Sequence, residues 1–150
     1  MCGGLQYAVV EYARHVLGQG DASHAEADGV GGSNVVVPLA CSLQGQERVV
    51  TPVPGSRFAT LVDEPFVGMH FCGYGPAPAA LERLVADGMV VGAIADDAPV
   101  EVLELPGHPF FVLSLFQPHI GASSGDPVHP LLMAFFEAAH AHAGVRYGRL

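Results

Sequence analysis

The sequence opens MCGGLQYAVVEYARHVLG, with Cys2 and two glycines set directly before a run that repeats apolar residues at helical spacing. A sulfur at a helix start sits at the positive end of the macrodipole, beside backbone N–H groups without intrahelical partners, and both features favour the nucleophilic thiolate. Cys2 is therefore the first candidate for covalent chemistry. Cys72, in HFCGYG, and the histidines His70 and His119 are further reactive side chains, and with Cys2 they have the types for a tetrahedral zinc set. No Cys-x-x-Cys or His-x-x-x-His spacing supports such a set, so neither a metal nor another cofactor is expected. On residue type alone, Cys2 is equally a surface thiol of a terminal segment. Cys72 is equally a small buried apolar side chain.

The elements that must position these groups can be read from periodicity. Leu5, Ala8, Val9, Tyr12, Ala13, Val16 and Leu17 follow the i, i+3, i+4, i+7 pattern of one helix, and Gly18 supplies its stop. The following QGDASHAEADGVGGSN has no period and reads as a long surface loop. VVVPLA, RVVTPV, RFATLV and FVGMHF are apolar, β-branched or aromatic runs bounded by Gly and Pro, and are expected as short strands. A second helix is expected over PAPAALERLVADG, with Pro78 in its first turn and Gly88 as its cap. MVVGAIA, VEVLEL and HPFFVLSLF read as three more strands. The loop QPHIGASSGDPVHP and a closing helix, LLMAFFEAAHAHAG, complete the chain. This order predicts a single α/β domain over residues 1–150, a three-layer sandwich with a mixed sheet and some antiparallel edge strands.

Composition narrows the partners. Six basic residues, all arginine, against fifteen acidic ones give a formal net charge of −9, which argues against nucleic acid or an anionic membrane. The longest apolar run, FFVLSLF, is far too short to span a bilayer, and no basic-then-apolar leader is visible. Three scattered cysteines, an odd count, make no disulfide framework and suit a reducing compartment, so a cytoplasmic location is expected.

Three separated stretches, CGGLQYAVVEYARHVLG…DASHAEAD, VEVLELPGHPFFV and the F-x-P after the last strand, resemble the class I glutamine amidotransferases, and within them the glutaminase domain of CTP synthase. The resemblance runs with gaps across nearly the whole chain and implies a class I amidotransferase (flavodoxin-like) fold. In that family a large N-terminal part precedes the nucleophile, so the sequence reads as the C-terminal portion, starting at the nucleophile elbow. A sheet stripped of its middle would expose an apolar face, which favours a truncated sequence over completion by another chain.

Residue by residue, the resemblance implies that Cys2 is the nucleophile, that the Gly3 N–H helps form the oxyanion hole, and that Gly4 is the elbow glycine. It implies that Gln6 and Glu26 face a bound glutamine and that Gly4, Cys72 and Gln117 line the same pocket. The family ends its last strand in His-Pro-Glu, whose histidine accepts the thiol proton and whose glutamate orients that histidine. Here the triplet is Gln117, Pro118, His119. An amide has no useful basicity near neutral pH, so Gln117 is not a general base. His119 is then the local candidate for a proton shuttle, at the position of the orienting carboxylate. The arginine that holds the α-carboxylate of glutamine in the family is replaced by Gly73, so the bidentate clamp is missing.

The function expected is that of a CTP synthase glutaminase-like domain acting on a small amide such as glutamine, with hydrolysis impaired or redirected. A homo-oligomer or a synthase partner would fit such a domain. The alternative is a non-catalytic, ligand- or partner-binding pseudo-amidotransferase, in which Cys2→Ala would leave function unchanged. A third reading, thiol redox chemistry shared by Cys2 and Cys72, requires the two sulfurs to lie within bonding reach. An N-terminal nucleophile hydrolase would place its terminal residue on a strand and does not explain the helix that begins at once after Cys2.

Overall fold

A computed structural model describes residues 1–96, 98–122 and 125–147. The first helix, α1 (Gly3–His15), buries Leu5, Val9, Val10 and Ala13 on one face, and Gly18 follows with φ 70° in the left-handed region that stops a helix. Each of the larger side chains withdrawn here contributes about 1.5–3 kcal/mol. Two short elements come next, β1 (Ser23–His24) and α2 (Ala25–Asp28), where the sequence led us to expect only loop. Two residues of strand and one turn of helix are too short to leave a period.

The remaining order is β2 (Asn34–Pro38), β3 (Gln46–Pro52), α3 (Arg57–Leu61), β4 (Phe66–His70), β5 (Tyr74–Pro76), α4 (Pro78–Ala86), β6 (Val90–Ala95), β7 (Ala98–Glu104), β8 (Val112–Ser114) and α5 (Pro130–Tyr147). Strands β1, β2 and β5 form a small mixed sheet, parallel between β1 and β2 and antiparallel between β2 and β5. Strands β4, β3, β6, β7 and β8, in that order, form an antiparallel sheet.

Adjacent residues of a strand face opposite sides of its sheet, and β7 shows what covers each side. Leu103 belongs to the cluster that includes Leu5 and Val9 of α1 and Leu81 and Leu84 of α4. Val102 belongs to the cluster that includes Phe58 of α3 and Leu131 of α5. Helices therefore cover both faces of the sheet, the arrangement expected from the sequence.

One expected strand is wrong. RFATLV, read as a strand, contains the helix α3, and the cause lies 46 and 47 residues away in sequence. The buried carboxylate of Glu104 on β7 accepts from the Phe58 N–H (2.6 Å) and the Arg57 N–H (3.0 Å), while the Ser56 hydroxyl accepts from the Ala59 N–H (3.0 Å). An anion and a side-chain cap at a helix start hold its otherwise orphaned donors. Gly92 on β6 makes room for that carboxylate, since a Cβ there would stand 2.5 Å from Glu104 Oε1 and 2.8 Å from Val102 Cγ1.

Candidate active site

Cys2 caps α1 with φ 47° and ψ −115°, and among the described residues it is the one non-glycine with positive φ. A side chain held there costs about 1–3 kcal/mol and persists only where its surroundings enforce it. They do so here. The Cys2 N–H donates to Ser114 O at the end of β8 (2.7 Å), the Gly4 N–H to Met1 O (2.9 Å), and the N–H groups of Leu5 and Gln6 to Cys2 O (2.9 and 3.1 Å). The turn thus joins a strand end to a helix start, with the thiol at its apex. The N–H of Gly3, first in the helix, has no intrahelical acceptor by position and is a donor available to developing negative charge. A Cβ built on Gly3 or Gly4 meets nothing within 4 Å, so the space beside the elbow is open.

The sulfur of Cys72, two residues beyond β4, lies 2.8 Å from the sulfur of Cys2. Cys72 is buried, with 1% of its surface exposed, whereas Cys2 is half-buried, and its sulfur sits 3.9 Å from Phe71 O. Burial, and then the hydrogen bond to Cys2, push the Cys72 pKa far up, so Cys72 stays a thiol and donates toward the Cys2 sulfur. Behind it lies a second buried pair. His70 Nε2 is 2.8 Å from Glu101 Oε2 and His70 Nδ1 is 3.0 Å from Gly68 O, with both residues fully enclosed. The carbonyl can only accept, so Nδ1 carries a proton. Nε2 and Glu101 then share another, and the pair is neutral overall. His70 is thereby engaged as a structural partner of Glu101. Among the described residues no group of three His, Cys, Asp or Glu side chains could hold a metal.

The other residues singled out in the sequence fall in three places. Gln6 is buried on α1, its Nε2 donating to Tyr74 O (2.8 Å) and its Oε1 lying 3.1 Å from His24 Nε2. His24 Nδ1 accepts from the Glu26 N–H (3.1 Å), which assigns the proton to Nε2 and makes it the donor to Gln6. The His24 ring lies between Tyr7 and Tyr74, at centroid distances of 5.3 and 5.2 Å. This leaves one N–H of the Gln6 amide uncommitted. Glu26, on α2, is exposed.

Gln117 and His119 lie beyond β8. Gln117 lines a cavity of about 330 Å³ with Phe66, Met69, Phe116 and His129, and Cys2 is not among its walls. An approach of His119 to the thiol would need an extended strand through residues 117–119. The strand instead ends at Ser114, residues 118–120 form a turn, and His119 is exposed with no hydrogen bond to Cys2. Two residues of the site escaped the sequence reading. They are Ser114, whose carbonyl anchors the elbow, and Glu101 of VEVLEL, which is buried against His70.

No family model matches the chain. Curated relatives named CTP synthase match nearly all of it. The protein from Methanothrix thermoacetophila is 32% identical over 162 residues, covering 99% of this chain and 28% of the relative. The protein from Pyrobaculum aerophilum is 33% identical over 150 residues, covering 93% and 28%. The chain thus spans a little over a quarter of the length of these relatives. Among solved structures, the glutaminase domain of Trypanosoma brucei CTP synthase with bound acivicin superposes with a TM-score of 0.76 at 26% identity, covering 93% of this chain and 58% of that one. A GMP synthase-type protein from Thermoplasma acidophilum, 10% identical with a TM-score of 0.57, shares the fold. Sequence and architecture together make this chain a relative of the class I glutamine amidotransferases, of the CTP synthase glutaminase type.

Proposed function

We propose that the chain is a Cys2-dependent amidotransferase-like domain over residues 1–150 that binds a small carboxamide such as glutamine and hydrolyses it poorly or to a different end. The observation that carries this reading is the backbone of Cys2, a strained turn at a helix start with its sulfur at the apex. Strain of this kind is retained where a nucleophile must be lifted clear of its surroundings. In the forward step Cys2 sulfur would attack the amide carbon and form a tetrahedral oxyanion beside the Gly3 N–H. Expulsion of ammonia then needs a proton at nitrogen. Gln117 cannot supply one, and His119 stands exposed in the turn beyond β8 without a hydrogen bond to Cys2. With Gly73 where the family has arginine, the α-carboxylate of glutamine loses its ion-pair anchor as well.

The absence of a His119–Cys2 hydrogen bond also favours a second reading, a ligand- or partner-binding pseudo-amidotransferase. A synthase chain or a second copy would be the partner in either case. No helix among the described residues is long and apolar enough to cross a membrane. Cys2, Cys41 and Cys72 are free thiols, which suits a reducing compartment such as the cytoplasm.

The test is intact-mass analysis after exposure to an electrophilic glutamine mimic, beside Cys2→Ala and with excess glutamine as competitor. Labelling confined to Cys2 and blocked by glutamine supports a glutamine-shaped site. Unlabelled Cys2 that still reacts with a small generic alkylator overturns it in favour of the binding module.

A further inference from the structure

The contact between Cys2 and Cys72 fits a chemistry separate from amide hydrolysis. The two residues lie 70 positions apart in sequence, yet their sulfurs are 2.8 Å apart, and roughly 0.8 Å of further approach would bring them to bonding distance. Their environments differ in the way a sequential reaction needs. Cys2 is half-buried at a helix start, within reach of a small solute, while Cys72 is sealed from solvent and held as a protonated thiol by its surroundings. Cys41 is exposed on the loop after β2, whose Leu43 N–H donates to Cys72 O (2.9 Å), and its thiol serves as an internal comparison. We propose that Cys2 and Cys72 form a dithiol–disulfide couple that reduces a small hydroperoxide, with Cys2 as the attacking and Cys72 as the resolving sulfur.

The steps balance. The Cys2 thiolate attacks the terminal peroxide oxygen, an S–O bond forms as the O–O bond breaks, and the leaving alkoxide or hydroxide takes a proton from solvent. Cys2 is now a sulfenic acid, two electrons poorer. Cys72 attacks that sulfur, the S–S bond forms as the S–O bond breaks, and the Cys72 proton leaves with the hydroxide as water. Two thiols and one hydroperoxide thus give one disulfide, one alcohol and one water. A small dithiol then restores both thiols by exchange. Attack in this order is assigned by exposure. Formation of the sulfenic acid also removes the negative charge on Cys2 that helps hold the proton on Cys72.

The experiment treats the fully reduced chain with hydrogen peroxide in the presence and absence of dimedone, followed by non-reducing peptide mapping. The expected result is a peptide pair joined through Cys2 and Cys72, reversed by dithiothreitol and unchanged in Cys41→Ser. In Cys72→Ser, dimedone should trap a Cys2 sulfenic acid at least an order of magnitude more than in the unmutated chain. The wild-type map decides the question even if that variant folds poorly. Trapping of Cys2 sulfenic acid in the wild type with Cys72 still free would overturn the proposal, as would oxidation that reaches Cys41 before Cys2.

Discussion

If the elbow is strained, replacing Cys2 by glycine should stabilise the protein relative to replacing it by alanine, the reverse of the usual order. Both substitutions remove the sulfur and its contact with Cys72, so the comparison isolates the backbone. Alanine keeps a Cβ in a conformation of φ 47° and ψ −115°, whereas glycine adopts it freely. The relief is about 1–3 kcal/mol. Against it stands the extra chain entropy of glycine, roughly 0.5–1 kcal/mol. Glycine should therefore come out ahead by up to about 2.5 kcal/mol, with a central value of ~1 kcal/mol, on the order of 3 °C in Tm for a chain of this length. Urea and thermal unfolding of the two variants measure the difference, and Ala8→Gly, inside α1, serves as a control that should lose about 1 kcal/mol. A Cys2→Gly variant less stable than Cys2→Ala by the ordinary glycine cost would refute the strained elbow, and with it the main structural ground for a nucleophile.

Three further outcomes can be checked. Glu104→Ala strips the buried carboxylate from the Arg57 and Phe58 N–H groups and should cost about 3 kcal/mol in urea unfolding, with Glu104→Gln in between because its amide oxygen still accepts. Gly92→Ala forces a Cβ against Glu104 and Val102 and should cost about 1–3 kcal/mol, read the same way. His129 lies among the rings of Phe58, Phe66 and Phe116, its Nδ1 accepting from the Leu131 N–H, and burial lowers its pKa below the ordinary 6.5. The folded state thus favours neutral His129. Its contribution is fully present above pH 6.5 and is lost as pH falls from there toward the folded-state value. His129→Asn, which keeps an acceptor for Leu131, should flatten the fall in Tm between neutral and mildly acidic pH. An unchanged slope would show that His129 is not its source.

What the sequence could tell depended on how local each determinant is. Helices α1 and α4 were legible because their apolar faces and the stops at Gly18 and Gly88 lie within a few residues of one another. Helix α3 was hidden because its start is held by Glu104, a residue of β7 that no local window around Phe58 includes. The elbow at Cys2 was legible from Cys-Gly-Gly set before a helix, though its conformation was not. The resemblance put Cys72 in the same pocket, but the approach of its sulfur to Cys2 depends on the segment after β4, which no local pattern fixes. His119 depends on the strand in another way. The i, i+2 rule holds only while the strand continues, and Pro118 begins a turn.

The central proposal is that the elbow has outlived efficient glutamine hydrolysis. Ammonia release from glutamine by the chain, measured beside Cys2→Ala, tests it most directly. Release at the level of the Cys2→Ala protein is expected. Sustained turnover that depends on Cys2 would contradict it and would require a proton donor other than Gln117 and a carboxylate anchor other than Gly73.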